Sequence, residues 1–350
     1  MKAFGFSEFS SLSKDNWVES NLKTLGIEAF HEMFHRKFIV GMGVDSYYDR
    51  SDTEGLPQID GFSHTTGWNY HERVASASTE NLTEIQNLGV QGVILSDMKK
   101  LDGIALNELG NLLVSLETIS ADEWRRPKGE MSMDGFVFAY NLPLQKFQKY
   151  RTSMIDIRQG KSHNDILYEI VGALLQLHEK LKTVEEEDFG QFFEQLFIRT
   201  SISTSYYQEI LKLRCLHSLF SAVLDQYDVD DVSIPILAEL GTGLENMELE
   251  QQLIRLTSVM TSAILGGASD IEVALFADDY AKTRYRNVSN LLREEAYLST
   301  VSDPLKGSYF FEKVGLDLSK EAWSRFQLVS KQADSSWFLS DYSQYQKLFA

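Results

Sequence analysis

From Trp68 onward, short runs with strand character alternate with longer segments of helical period. Strands that are joined by helices pair in parallel, because a parallel connection must cross over the sheet. Eight such units in about 210 residues predict the α/β class and a closed (β/α)8 TIM barrel, with a doubly wound open sheet as the alternative. The strand candidates begin, in chain order, at Trp68, Val90, Ser115, Asp134, Thr152, Phe197, Val232 and Ile271.

The chain before this alternation has a different character. Ser13 and the polar residues that follow it form a helix-start signal ahead of Trp17, and we expect a short amphipathic helix to run to Leu25. Residues 38–62 are rich in glycine and aspartate, which is typical of an extended, turn-rich arm. Such an arm has no core of its own, so we expect it to pack on a neighbouring domain or on a partner.

These patterns predict three parts. Residues 1–66 form the N-terminal arm, residues 67–331 form the barrel domain with its following helices, and residues 332–350 form a C-terminal tail. Within the second part, the pattern of residues 287–331 predicts a helix, then a turn at DPLKGSYF, and then a further helix.

Charge and composition restrict the possible partners. The formal net charge is −18, and an acidic surface repels nucleic-acid phosphates and anionic lipid heads, so we expect neither as a partner. The one cysteine, Cys215, excludes an intramolecular disulfide and is expected to be a small buried hydrophobe in a helix. There is no run of about 18 apolar residues and no signal-peptide pattern, so we expect a cytoplasmic protein.

The histidines and the glycine pair do not predict a metal-binding or catalytic site. His31 and His35 have the spacing that can present two metal ligands on one helix face, but no third ligand is apparent, so we assign no metal site. His71 lies in the first strand candidate, where its side chain could point into the barrel. His178 and His217 fall in amphipathic helices and are expected on the surface or in satisfied core positions. Gly266 and Gly267 predict a tight turn from helix to strand.

In a barrel enzyme, catalytic residues lie at the carboxyl ends of the strands. The polar residues at these ends contain no obvious pair of nucleophile and base, so we assign no catalytic or cofactor-binding residue. They are Arg73, Ser96, Asp97, Asp122, Glu123, Arg125, Arg126, Tyr140, Asn141, Asp156, Arg158, Ser201, Ser203, Glu239, Asp278 and Asp279.

Two segments, residues 199–220 and residues 300–327, carry a specific family pattern. Its residues in these segments, and in the helix before the second, are Glu209, Ile210, Lys212, Leu213, Arg214, Leu216, Asn287, Glu294, Glu295, Asp303, Pro304, Gly307, Ser308, Tyr309, Glu312, Ala322, Trp323 and Phe326. The glycine pair in residues 264–268 and the N-terminal residues Phe6, Ser7, Glu8, Phe9 and Trp17 match more weakly. In these residues the chain resembles the methylmalonyl-CoA mutase family.

The departures from the family pattern concern its catalytic parts. The family's Asp-x-His-x-x-Gly cobalt-ligand motif does not occur in this sequence, and few residues follow Gln327, so we expect no cobalamin-binding domain. Arg158 falls near the position of the family's active-site histidine, with His163 five residues away. The family's catalytic subunits have a long tyrosine-bearing segment before the first strand, and in this chain that segment is shortened to residues 56–67.

The resemblance therefore implies a non-catalytic small subunit of an adenosylcobalamin-dependent methylmalonyl-CoA mutase. By that resemblance, adenosylcobalamin would sit in a large catalytic partner subunit, and the heterodimer would interconvert methylmalonyl-CoA and succinyl-CoA, a step of propionate metabolism. The chain would be inactive alone, with no cofactor of its own, and its arm would wrap the partner. Two alternatives are a stand-alone barrel that binds an acyl-CoA or performs non-radical chemistry, and a homodimeric scaffold.

Overall fold

The fold is taken from a computed structural model of the chain. It describes residues 13–39, 42–56, 67–75, 78–96, 111–117, 135–136, 138, 150–158, 165–229, 232–275, 278–332, 338 and 342–349. Expectations for Asp97, Asp122, Glu123, Arg125, Arg126, Tyr140, Asn141 and His163, and for the segment 6–9, lie outside these residues.

Helices and strands alternate along most of the chain. The helices are α1 (Lys14–Leu25), α2 (Ile27–Phe34), α3 (Arg50–Thr53), α4 (Thr79–Asn87), α5 (Ile166–Leu181), α6 (Phe189–Gln195), α7 (Tyr206–Gln226), α8 (Leu249–Gly266), α9 (Asp279–Glu294), α10 (Tyr309–Ser330) and α11 (Tyr342–Phe349). The strands are β1 (His35–Ile39), β2 (Met42–Asp45), β3 (Asn69–Val74), β4 (Gly92–Leu95), β5 (Leu113–Leu116), β6 (Gly135–Phe136), β7 (Tyr150–Arg151), β8 (Ser153–Asp156), β9 (Leu196–Ile202), β10 (Ile236–Leu240) and β11 (Asp270–Val273).

Within the described ranges, seven strands form one curled parallel sheet in the order β5-β4-β3-β11-β10-β9-β8. Every pair that is hydrogen-bonded in this sheet is parallel, as expected for strands joined by crossing helices. The sheet is a curled half-barrel of the α/β class. Seven of the eight strand candidates belong to it, although β5 begins two residues before the predicted start at Ser115.

The fourth strand candidate differs from the prediction. Its described strand residues are the two of β6, which pair in parallel with β7 rather than joining the main sheet. Two bonds still attach this segment to the edge of the sheet: Phe136 N donates to Ser115 Oγ at 3.1 Å and Phe138 N donates to Leu116 O at 2.9 Å. In the described part of the chain the sheet curls but does not close.

Helices cover the outer face of the sheet, because the strands present apolar side chains there. The main apolar cluster includes Ile198, Ile236, Ala238 and Ile271 from the strands, together with buried residues of α5, α7, α8, α9 and α10. Gly267 ends α8 with φ +95°, the left-handed conformation that suits glycine, and the chain then enters β11. The predicted helix-to-strand turn at the glycine pair is confirmed.

The inner face of the sheet has a separate, smaller apolar cluster. It consists of Ile94, Phe136, Phe138, Met154, Phe197 and Leu237. Successive residues of β9 point to opposite faces of the sheet. Phe197 belongs to the inner cluster, and its neighbour Ile198 belongs to the outer one. The described interior of the half-barrel is therefore packed with side chains.

The N-terminal arm has more structure than the extended segment that the sequence predicts. Ser13 Oγ caps α1 as expected, but β1 and β2 then form an antiparallel hairpin. The Trp17 ring lies 5.0 Å from the ring of Phe34 and 5.3 Å from that of Tyr47, so the arm has a small aromatic cluster of its own. Tyr48 contacts Phe310 of α10 edge to face, which attaches the arm to the main body.

None of the helices among the described residues is long and apolar enough to cross a membrane.

Candidate functional site

The carboxyl ends of the strands bring together a continuous series of charged side chains, which we call the charge chain. Its members alternate in sign from one edge of the sheet to the other, so each arginine lies between carboxylates. In order they are Glu117, Arg73, Glu272, Arg199, Glu239, Arg158 and Asp156.

The β3 end of the charge chain lies near the protein surface. Arg73 donates through Nη1 to Glu117 Oε2 at 2.5 Å and through Nε to Glu272 Oε1. Burial alone would lower the pKa of Arg73, but the facing carboxylates outweigh it and raise that pKa above its ordinary value. Glu272 is fully buried, whereas Arg73 and Glu117 are each 39% exposed.

The centre of the charge chain is Arg199. Its Nη2 donates to Glu239 Oε2 at 2.8 Å and lies 3.4 Å from Glu272 Oε2. Its guanidinium carbon lies 4.3 Å from the centre of the Phe138 ring, a cation–π contact with the inner apolar cluster. Arg199 Nε is buried and has no hydrogen-bond partner in the part of the chain that the structure describes.

Arg158 closes the other end of the charge chain. It forms a two-pronged pair with Asp156, from Nε to Oδ1 at 2.9 Å and from Nη2 to Oδ2 at 2.6 Å. Its Nη1 donates to Glu239 Oε2 at 2.9 Å. Burial would lower the pKa of Arg158, but Asp156 and Glu239 raise it above its ordinary value. Arg158, which the resemblance places near the family's active-site histidine, is therefore a guanidinium held in ion pairs.

The expected strand-end residues divide into two groups. The structure brings Arg73, Asp156, Arg158 and Glu239 together in the charge chain. The others that are described have local roles or none: Ser201 O accepts from Lys212, Ser203 Oγ accepts from Ser205 N, Asp278 caps α9, Asp279 lies exposed in its first turn, and Ser96 is exposed.

Sequence reasoning missed Arg199, Glu272 and Glu117 as members of the site. Arg199 and Glu272 lie inside strands, whereas the residues expected at the site are those at strand ends. The available signal was a charged residue at an inward position of an otherwise buried strand, since such a side chain must find a partner across the sheet.

Below the charge chain, His71 points into the half-barrel as expected. Its Nε2 lies 2.8 Å from Asp270 Oδ1, and Asp270 also accepts from Asn69 Nδ2 at 3.0 Å and from Ser269 Oγ at 2.8 Å. A Cβ on Gly92 would come within 2.2 Å of His71 Nδ1, so only glycine fits beside the imidazole. The pair is buried in the core, and the hydroxyl that contacts it, Ser269 Oγ, donates to Asp270 Oδ2.

His178, His217 and Cys215 have packing or hydrogen-bonding roles. His217 Nε2 lies 2.9 Å from Gly267 O, and His178 packs edge to face on Phe326. Cys215 is buried as expected, and burial raises the pKa of its thiol to about 12. These findings confirm the structural interpretation of each residue.

The arm histidines do not share a helix face. The letters HEMFH at residues 31–35 match the HExxH zinc pattern, which requires both histidines on one helix. Helix α2 ends at Phe34, however, and His35 begins strand β1, so the expected helical spacing is wrong. No group of three potential ligands for a metal ion occurs among the described residues.

A second buried cluster lies on the outer, helix-covered face of the sheet, and we call it the helix-side triad. Lys212 of α7 is fully buried and lies 2.7 Å from Glu169 Oε2 and 2.6 Å from Glu209 Oε2. Its Nζ also donates to Ser201 O at 2.8 Å. Burial raises the pKa of Glu169 to about 7, although Lys212 opposes the shift. This triad joins α5, α7 and the end of β9.

The turn between α9 and α10 is held by a further ion pair. Arg214 Nη1 donates to Asp303 Oδ1 at 2.7 Å, and its Nη2 lies 3.5 Å from Glu312 Oε1. Gly307 has φ +82° and donates its N–H to Glu312 at 3.1 Å. Several residues that match the mutase family therefore build a structural joint rather than a catalytic centre.

Residues 179–335 match the sequence model of the family described as methylmalonyl-CoA mutase. The resemblance to the methylmalonyl-CoA mutase family is confirmed. The match covers α6 to α10 and includes Arg199, Glu239 and Glu272 of the charge chain, together with the joint at Arg214.

Three curated relatives illustrate the similarity. The chain is 26% identical over 175 residues to the methylmalonyl-CoA mutase small subunit of Propionibacterium freudenreichii subsp. shermanii, covering 47% of this chain and 27% of that protein. It is 29% identical over 139 residues to the small subunit of Porphyromonas gingivalis, covering 37% and 22%. It is 23% identical over 218 residues to the large subunit of Streptomyces virginiae, covering 58% and 29%. The matched part spans about a quarter of the length of these relatives.

Proposed function

We propose that this chain acts as a non-catalytic small subunit of an adenosylcobalamin-dependent methylmalonyl-CoA mutase. In this proposal a large subunit binds the cofactor and interconverts methylmalonyl-CoA and succinyl-CoA, while the present chain supports it in a heterodimer in the cytoplasm. Similarity to small subunits of the family supports the assignment. We also propose that the curled sheet belongs to an eight-stranded barrel of which β6 is the fourth strand.

The observation that carries this proposal is the charge chain. At the carboxyl ends of the strands, where barrel enzymes bind substrate and cofactor, the arginines and carboxylates are paired with one another. Beneath them the interior is filled by the inner apolar cluster. A long CoA thioester that entered the described half-barrel would have to break the ion pairs and displace packed aromatic rings.

The described residues also do not fit adenosylcobalamin. A cobalt ligand would need an imidazole nitrogen that is free at the mouth of the half-barrel. His71 is paired with Asp270 and its Nδ1 is closed off by the backbone of Gly92. His217 contacts a backbone carbonyl on the helix side, and His178 packs on Phe326. We therefore derive no step through cobalamin in this chain.

The arm supports the partner role. None of the residues of α1 is buried, and Ile27 and Met33 of α2 are exposed. Because Ile27 and Met33 lie exposed on α2 and the apolar side chains of α1 are only half-buried, we propose that the arm contributes to the contact with the large subunit.

The test is to purify the chain and the large mutase subunit encoded in the same genome, separately and together. We expect a one-to-one complex by size-exclusion chromatography with light scattering, and mutase activity that requires the large subunit. Adenosylcobalamin added to the chain alone should leave the cobalamin absorption spectrum unchanged. Stoichiometric cobalamin binding by the isolated chain, or turnover by it, would contradict the proposal.

A titration with methylmalonyl-CoA and succinyl-CoA separates the alternatives. The proposed subunit should show no tight binding of either thioester in the absence of the large subunit. Tight binding by the isolated chain would instead support a stand-alone acyl-CoA barrel. A stable homodimer that does not bind the large subunit would support the alternative of a homodimeric scaffold.

A further inference from the structure

We propose that Arg158 and Arg199 form a binding site for a small aliphatic carboxylate, and that the Glu239 side chain occupies this site as an internal ligand. The proposal concerns the chain by itself and does not depend on its role in a mutase.

The geometry around Glu239 is that of a bound carboxylate. One oxygen, Oε2, accepts from Arg158 Nη1 at 2.9 Å and from Arg199 Nη2 at 2.8 Å. The two guanidiniums come from different parts of the sheet, Arg199 from β9 and Arg158 from the residues that follow β8. Convergence of two guanidiniums on one oxygen is a strong, charge-assisted arrangement.

Both arginines are held in place by contacts other than Glu239. Arg158 makes its two-pronged pair with Asp156, and Arg199 rests on the Phe138 ring and lies near Glu272. Removal of the Glu239 carboxylate should therefore leave both cations in position, and a preorganised site binds its ligand at a lower entropic cost.

A second observation points to unused binding capacity. Arg199 is 1% exposed, and its buried Nε has no hydrogen-bond partner among the described residues. A buried N–H without a partner is costly, and a free carboxylate can satisfy it by bonding to Nε and Nη2 of the same guanidinium. Glu239 uses only Nη2 of Arg199.

Access and surroundings define the class of ligand. The side chains of Glu239 and Arg158 are 20% and 29% exposed, so a small molecule can reach the site from the carboxyl ends of the strands. Leu237 and Phe197, two residues before Glu239 and Arg199 on their strands, belong to the inner apolar cluster. A carboxylate with a short apolar tail, such as acetate or propionate, fits this combination.

The experiment is a chemical rescue of the Glu239→Ala variant. Thermal unfolding and calorimetric titration are compared for the wild type and E239A in sodium acetate, sodium propionate and sodium chloride at equal ionic strength. We expect E239A to bind propionate at least about tenfold more tightly than the wild type does, because about two charge-assisted bonds become available. Acetate and propionate should raise its melting temperature beyond the effect of chloride.

Two further variants separate this site from a general effect of charge. Rescue should disappear in E239A/R158Q, which lacks one of the two cations. Rescue by acetate or propionate should also be absent in the Glu117→Ala variant. This variant removes a carboxylate from the charge chain too, but the Glu117 side chain pairs only with Arg73.

A folded E239A variant that responds equally to acetate, propionate and chloride would overturn the proposal and leave Glu239 as a simple ion-pair partner. If E239A does not fold, Glu239→Ser, which also empties the site, is titrated in its place. Tighter binding of propionate by E239S than by the wild type supports the site, and equal binding overturns it.

Discussion

The two buried charge clusters lie on opposite faces of the same sheet and differ in how firmly they are enclosed. The ammonium of the helix-side triad is fully buried, and its carboxylates are 7% and 4% exposed. In the charge chain, burial varies from complete at Glu272 to 39% exposure at Arg73 and Glu117. A closed cluster fixes helices on the sheet, whereas a cluster with an open side can exchange partners.

Strand β3 shows this division within two consecutive residues. Glu72 points outward, where Arg286 of α9 donates to it through Nε at 2.8 Å and through Nη2 at 3.0 Å. Arg73 points inward to Glu272 and Glu117. Because successive side chains of a strand face opposite sides, adjacent charges serve helix docking and the candidate site separately.

The largest effect should come from Lys212→Met in the helix-side triad. The change leaves two carboxylates buried without their cation, and breaking such a cluster costs about 3–5 kcal/mol of unfolding free energy. Urea unfolding followed by circular dichroism measures this loss. Lys182→Ala removes an exposed pair with Glu179 and serves as the control, with an expected change below about 0.5 kcal/mol. Equal losses in the two variants would refute the distinction between enclosed and open pairs.

The next effect is the pH dependence that Glu169 contributes. Burial raises its pKa from 4.5 to about 7, so the folded state holds this proton more tightly than the unfolded state does. The resulting contribution to stability is fully present below pH 4.5 and is lost as the pH rises through about 7. Urea unfolding from pH 5 to 8 should show a weaker decline in Glu169→Gln than in the wild type. Parallel pH profiles would contradict the assignment.

The smallest effect should come from Glu239→Gln in the charge chain. Arg158 keeps Asp156 and Arg199 keeps Glu272, and the position is partly open to water, so we expect a loss of about 1 kcal/mol. The same urea experiment measures it. A loss as large as that of Lys212→Met would show that the charge chain is as closely coupled to folding as the helix-side triad.

Much of the fold could be predicted from the sequence. The change of period between short apolar runs and amphipathic helices located seven strands of the sheet, and Gly267 marked the turn into β11. Arg73, Asp156, Arg158 and Glu239 were predictable from their places at strand ends, because the carboxyl ends of parallel strands meet at one edge.

The failures have physical causes. The described strand residues of the candidate at Asp134, those of β6, pair with the short β7 and not with the main sheet, and the choice of partner strand is not recorded in local composition. The arm formed a hairpin although its glycines and aspartates indicated only turns, because tertiary contacts override weak local preference. The pair His31 and His35 was separated because α2 ends before the second histidine.

The sequence by itself determined the α/β class, the parallel pairing and the faces on which charged residues stand, since these depend on local period and on connection length. Only the tertiary structure decided which charges meet. Arg73 and Glu272 lie 199 residues apart, as do His71 and Asp270, and Glu72 and Arg286 lie 214 apart. Such pairs depend on strand order and register, and neither can be read from a local stretch of the sequence.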